Sequence, residues 1–100
     1  PGRPSLDTVY VAPRNALEAQ LARIWEEVLR VAPIGVDDNF FDLGGDSLQA
    51  FSVISRALRH FDVKLTPKDL FAFASLGAMA VRIAEHQQAS AGDAGAGREQ

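Results

Sequence analysis

The sequence predicts an all-α domain: a four-helix bundle with three main helices, one short helix and a long first loop. Two observations carry this reading. Three stretches repeat their apolar residues at intervals of three and four, the spacing of one helix face. Each is preceded by a residue type that caps helix starts, and so is the short fourth helix. The only strand-like run, Val9-Tyr10-Val11, has no second strand to pair with.

Composition narrows the classes of function. One hundred residues, 47% of them hydrophobic, suit a single globular domain with a modest core. The net charge is -3 and no dense Lys/Arg run occurs, which argues against nucleic acid as a partner. Cysteine is absent, so disulfides and thiolate metal sites are excluded and any thiol must be added. No apolar stretch is long enough to span a membrane, and the N-terminus lacks a signal-peptide pattern. A cytoplasmic location is the default expectation.

In chain order, residues 1–14 read as a linker punctuated by Pro1, Gly2, Pro4 and Pro13. Asn15 caps the first helix, with Glu18 at the capping-box position. Leu17, Leu21, Ile24 and Val28 form its apolar stripe, widened by Trp25 and Leu29, and Pro33 marks its end. Trp25 reads as a packing residue.

A long connection follows, to about residue 46. Its apolar Ile34, Val36, Phe40, Phe41 and Leu43 predict a loop packed onto the core. Asp37, Asp38, Asp42 and Asp46 do not follow calcium-loop spacing and read as turn and cap acids.

The second helix should run from Ser47 to about His60, with Phe51, Ile54, Leu58 and Phe61 as its buried stripe. Leu48 shares a line with Ser52, Ser55 and Arg59, so it should be exposed. Thr66 as cap, Pro67 in the first turn and Asp69 predict a short helix, with Leu70, Phe71 and Phe73 supplying contacts. Ser75 caps the last helix, which buries Leu76, Met79, Ala80 and Ile83. Residues 88–100 have linker composition and are expected to be disordered, leaving 15–87 as the domain.

The candidate site is Phe40-Phe41-Asp42-Leu43-Gly44-Gly45-Asp46-Ser47-Leu48. Two glycines break regular structure before a helix begins, and their missing Cβ atoms should leave the Ser47 hydroxyl uncrowded. Asp46 or Ser47 can cap the first turn, with Gln49 placed to answer Asp46.

Two families share these residues. Gly45-Asp46-Ser47-Leu48 matches the nucleophile motif of GDSL hydrolases. That chemistry needs a base near the serine, and here Ile83 stands where the family has an Asp three residues before His86; His60 reads as a surface residue. The whole string FFDLGGDSL, with Tyr10 to Asn15, Ile24 to Leu29, Phe61-Asp62-Val63 and Leu70-Phe71, resembles the peptidyl carrier (thiolation) domains of nonribosomal peptide synthetases, over about residues 10–86.

The resemblance implies a bundle of carrier-protein type in which Ser47 receives 4'-phosphopantetheine from coenzyme A. Gly45 and Asp46 shape the turn, while Leu48, Phe40 and Phe41 meet or support partners. It implies a non-catalytic carrier, a substrate of a phosphopantetheinyl transferase, that holds aminoacyl or peptidyl groups as thioesters. Its other partners are adenylation and condensation domains, with epimerisation or thioesterase domains in some arrangements, and residues 1–14 would lead from an upstream adenylation domain. A monomer is expected for the fragment, with no metal.

Family carriers often have histidine at the position of Asp46. The aspartate form resembles polyketide acyl carriers, and also peptidyl carriers that precede epimerisation domains. An acyl carrier of a polyketide synthase is therefore the alternative. A helical interaction module or DNA binder without a prosthetic group is another, although Gln49, Arg56 and Arg59 spread basic and polar contacts thinly.

Overall fold

The computed structural model describes residues 8–97, with side chains through Ala89. Four helices follow in order: α1 (Ala16–Leu29), α2 (Ser47–Phe61), α3 (Pro67–Ala72) and α4 (Leu76–Gly97). α1 packs on α2 and α4, and the short α3 bridges α2 and α4. Asn39 and Ser75 form an isolated antiparallel bridge. No helix among the described residues is long and apolar enough to cross a membrane.

The helix starts follow the caps. The Asn15 side chain accepts from the Glu18 amide at 2.8 Å. Asp46 with Gln49, and Thr66 with Asp69, each close a reciprocal capping box. The Ser75 hydroxyl accepts from the Ala78 amide at 3.2 Å. α1 and α2 end where Arg30 and Asp62 adopt left-handed backbone, φ 57° and 56°. α1 therefore stops at Leu29, ahead of Pro33.

The α1 start departs from expectation in one respect. Glu18 does not reach back to Asn15. Its buried carboxylate takes the Arg14 amide and guanidinium, each at 2.8 Å. These hydrogen bonds from Arg14, opposed by burial, hold the Glu18 carboxyl below its ordinary range. Burial likewise works to raise Asp69, but the Thr66 amide and hydroxyl and the Arg82 guanidinium outweigh it, so its carboxyl also titrates low.

The core gathers Leu21, Ile24, Trp25 and Leu29 from α1, Val53 and Ala57 from α2, Leu70 from α3, and Leu76, Met79, Ala80 and Ile83 from α4. The connecting loop is packed down as expected: Ile34, Val36, Phe40 and Leu43 are all buried. Phe40 meets Trp25 edge-on, with ring centroids 5.2 Å apart.

The buried face of α2 differs from the predicted stripe. Ala50, Val53, Ala57 and Phe61 face the core, while Phe51 and Leu58 are 57% and 46% exposed. Phe61 belongs to both faces and Ile54 is half-buried, so the buried face is turned by less than the about 100° of one residue from the stripe of largest side chains. Small Ala50 and Ala57 let α2 lie close to α1, which leaves the bulky positions outside. Phe71 of α3 is also exposed, at 65%.

Both ends of the described chain carry structure of their own. Residues 1–7 lie outside the description, but 8–14 are not simply linker: the Val11 carbonyl accepts from the Val36 amide at 2.8 Å. At the other end, α4 continues past residue 87 to Gly97, where the composition predicts disorder. Ala89, Ala91, Ala94 and Ala96 favour helix there. Residues 98–100 lie outside the description.

Candidate functional site

Ser47 is the first residue of α2 and its side chain is exposed. Asp46, in extended backbone, accepts from the Gln49 amide at 2.9 Å, and the Gln49 side chain accepts from the Asp46 amide at 3.1 Å. Asp46 rather than Ser47 is thus the cap, which leaves the serine hydroxyl unused by the helix start. The amides of the first helical turn precede the helix's own hydrogen bonds and point outward beside it.

The turn before Ser47 is built by its two glycines for different reasons. Gly44 has φ 102°, a backbone that L side chains rarely adopt. Gly45 needs no such freedom. A Cβ there would lie 2.5 Å from Cδ2 of Phe40 and 2.8 Å from its carbonyl oxygen. The Gly45 amide donates to that same carbonyl at 3.1 Å. Gly45 therefore makes room for the buried Phe40 ring, rather than clearing space around the hydroxyl.

Leu48 is 81% exposed beside Ser47, as its helical line predicts. Phe41 is partly buried and stacks on Phe71, with centroids 4.9 Å apart and planes 5° from parallel. Phe40 is corrected from partner contact to support, since it is fully buried. Sequence reasoning missed Phe51 and Phe71, which with Ser47, Ala50 and Pro67 line a small apolar hollow of about 120 Å³. Both fell on faces that the apolar pattern assigns to packing, Phe51 on α2 and Phe71 on α3.

The alternatives lose their residues. His60 stands thirteen positions along α2 from Ser47, about 20 Å at 1.5 Å per residue. His86 lines a different hollow, with Lys64, Lys68 and Arg82. Neither histidine shares the hollow that Ser47 lines. Of Gln49, Arg56 and Arg59 on α2, Arg56 is paired with Glu27 at 2.7 Å and Gln49 is spent on the cap, which leaves Arg59 as an exposed polar contact. Asp38 accepts from the Gly35 amide at 2.8 Å, a turn acid like Asp46 is a cap acid. Among the described residues no group of three or more acidic, His or Cys side chains is gathered to hold a metal.

What the described residues present is an exposed primary hydroxyl at a helix N-terminus, with neither histidine in the hollow beside it. That suits a group added by another enzyme. The outward amides and the helix dipole favour a phosphodiester there, and the apolar hollow beside Ser47 suits an aliphatic chain leading from it. The site and fold define a prosthetic-group carrier. The family described as phosphopantetheine attachment site matches residues 19–83, and the chain belongs to it.

Its relatives include peptide synthases. It is 47% identical over 83 residues to tyrocidine synthase 3 of Brevibacillus parabrevis. It is 49% identical over 81 residues to gramicidin S synthase 2 of Aneurinibacillus migulanus. These matches cover 83% and 81% of this chain but only 1% and 2% of the synthases, so the chain spans a small part of such relatives.

Among solved structures, it resembles the peptidyl carrier protein in a complex of the phosphopantetheine transferase Sfp with coenzyme A. The TM-score is 0.74 at 47% identity, covering 76% of this chain and 99% of that one. An active-site mutant peptidyl carrier protein in solution matches with TM-score 0.77 at 44% identity, covering 81% of this chain and 90% of that one.

Proposed function

We propose that Ser47 is the attachment point of 4'-phosphopantetheine and that residues 15–87 serve as a non-catalytic peptidyl carrier within a longer nonribosomal peptide synthetase. The observation that carries this is the exposed Ser47 hydroxyl at the first position of α2, freed from capping by Asp46. In the transfer, the Ser47 oxygen bonds to the phosphorus of coenzyme A that bears the pantetheine. The bond from that phosphorus to the adenosine-side phosphate breaks, and the serine proton leaves to a base of the transferase. Once attached, the group supplies the terminal thiol that this cysteine-free chain lacks, and with it the capacity to hold an aminoacyl or peptidyl group as a thioester.

The chain's own residues do the positioning. Asp46 and Gln49 fix the first turn of α2, so Ser47 is held on a rigid element rather than a mobile loop. Phe40 and Gly45 lock the preceding turn to the core. Leu48, Phe51 and Phe71 put large apolar side chains on the surface around the serine, an arrangement suited to transient docking by a transferase and by adenylation, condensation, epimerisation or thioesterase domains. Tethering then makes each delivery intramolecular.

The test is intact-protein mass after incubation with coenzyme A, magnesium and a broad-specificity phosphopantetheinyl transferase. One phosphopantetheine adduct on the parent and none on Ser47→Ala is expected. A well-folded parent that takes no adduct would remove the carrier reading and leave a helical interaction module.

A further inference from the structure

The segment before α1 is held against the loop that leads to Ser47, and the contact is specific. The Val36 amide donates to the Val11 carbonyl at 2.8 Å. Gly35 lies directly beneath: a Cβ there would sit 2.9 Å from Cδ1 of Tyr10 and 3.0 Å from the Val11 nitrogen, and would strike the Val11 carbonyl. The absence of a side chain at Gly35 is thus accounted for by residues 10 and 11. Arg14, at the end of the same segment, is tied to the buried Glu18.

From this contact, hydrogen bonds lead inward. The Val36 carbonyl accepts from the Gly77 amide at 2.9 Å, and the Asp38 carbonyl accepts from Leu76 at 3.0 Å, so the turn is fixed to the start of α4. The Gly35 amide donates to the buried Asp38 carboxylate. Phe40 follows, donating to the Ala74 carbonyl at 2.8 Å and accepting from Gly45, which directly precedes the Asp46 cap and Ser47. At Gly35 the three atoms nearest to where a side chain would begin all belong to this segment.

We propose that Tyr10, Val11 and Gly35 are positioning residues for the modification of Ser47: the connector acts as a strap that holds the loop in the geometry a transferase docks. This rests on the assignment of Ser47 as the attachment site. Without the strap, the loop samples other arrangements and the docked one is populated for only part of the time. A loop that holds the required geometry a tenth of the time binds about tenfold more weakly, while the chemistry after docking is unchanged.

The variants are Tyr10→Ala, on a side chain 43% exposed and outside the core, and Gly35→Ala, which drives a methyl into the strap. Both are made in the whole chain. Amide hydrogen exchange is read at Val36 and Gly77, and the transferase reaction is resolved into KM for the carrier and kcat. The expected result is faster exchange at Val36, a severalfold rise in KM, an unchanged kcat, and for Tyr10→Ala a nearly unchanged melting temperature.

Unchanged protection at Val36 in both variants would overturn the strap. Lost protection with unchanged KM would overturn its reach to the serine, and so would a loss of kcat alone. Should Gly35→Ala fail to fold, Tyr10→Ala decides both points. A parent chain that takes no adduct would instead sink the Ser47 assignment, and the exchange data would still report on the strap.

Discussion

Gly45→Ala tests whether the turn before Ser47 is shaped by packing. The new methyl would press on the ring and carbonyl of Phe40, a side chain with no exposed surface. The ring has little room to yield. Trp25 meets it on one side at 5.2 Å, and Phe41 on another at 5.3 Å, both nearly perpendicular. Overpacking of this kind costs about 1–3 kcal/mol. Replacing glycine also restricts the unfolded chain, which returns about 0.4–1 kcal/mol.

The midpoints of the two ranges leave a net loss of about 1.3 kcal/mol, or about 5–10 °C in melting temperature for a domain this small. Urea unfolding, followed by far-UV circular dichroism and by Trp25 fluorescence, should show a lower midpoint with an unchanged slope. In a Phe40→Leu background the same substitution should cost at least about 0.5 kcal/mol less, because the two sites touch. A Gly45→Ala protein as stable as the parent, or a cost that stays the same beside Phe40→Leu, would refute the reasoning.

Three further outcomes follow from the same contacts. Phe51→Ala and Leu58→Ala should each cost about 1 kcal/mol or less by denaturation, because both are half exposed, whereas Val53→Ala should cost about 2–3 kcal/mol from lost burial and a cavity. The reverse ranking would return α2 to the register of its largest side chains. Glu18 and Asp69 titrate below their unfolded values, so the unfolded chain binds more protons and their stabilisation, complete at neutral pH, is lost as pH falls below about 4. Melting temperature against pH should therefore drop on the acid side, and Glu18→Gln should flatten that limb; a parallel curve for the variant would count against it. Leu48→Asp should leave the melting temperature within about 4 °C, since surface changes rarely exceed about 0.5 kcal/mol, while raising the transferase KM. An unchanged KM would remove Leu48 from the docking surface.

Local signals were legible in the sequence. Asn15, Asp46, Thr66 and Ser75 mark helix starts because a cap acts on amides two or three residues away, and all four do so in the fold. The exposure of Leu48 followed from its polar neighbours on the helix line. Four of the long loop's five large apolar residues are buried, and Phe41 packs against them half-buried.

What depended on distant partners was not legible. The face α2 buries is set by how closely α1 approaches, and the sequence favours the larger residues at Phe51 and Leu58. Glu18 answers to Arg14 instead of Asn15, a local pairing that the capping-box spacing does not distinguish from the expected one. The docking of Val11 on Val36 joins segments twenty-five positions apart, with no periodicity to announce it. Gly45 looked like a clearance for the hydroxyl because the sequence does not show where the Phe40 ring lies.

The central claim is that Ser47 alone carries the prosthetic group. Its most direct test is tandem mass spectrometry of the proteolysed product after reaction with coenzyme A, magnesium and the transferase. Cleavage after Arg30 and Arg56 yields one peptide that holds Ser47, Ser52 and Ser55. The account predicts fragment ions that place phosphopantetheine on Ser47, and a Ser47→Ala chain that stays unmodified with nearly the parent's melting temperature. Fragments that place the group on Ser52 or Ser55, or an adduct that persists on Ser47→Ala, would contradict it.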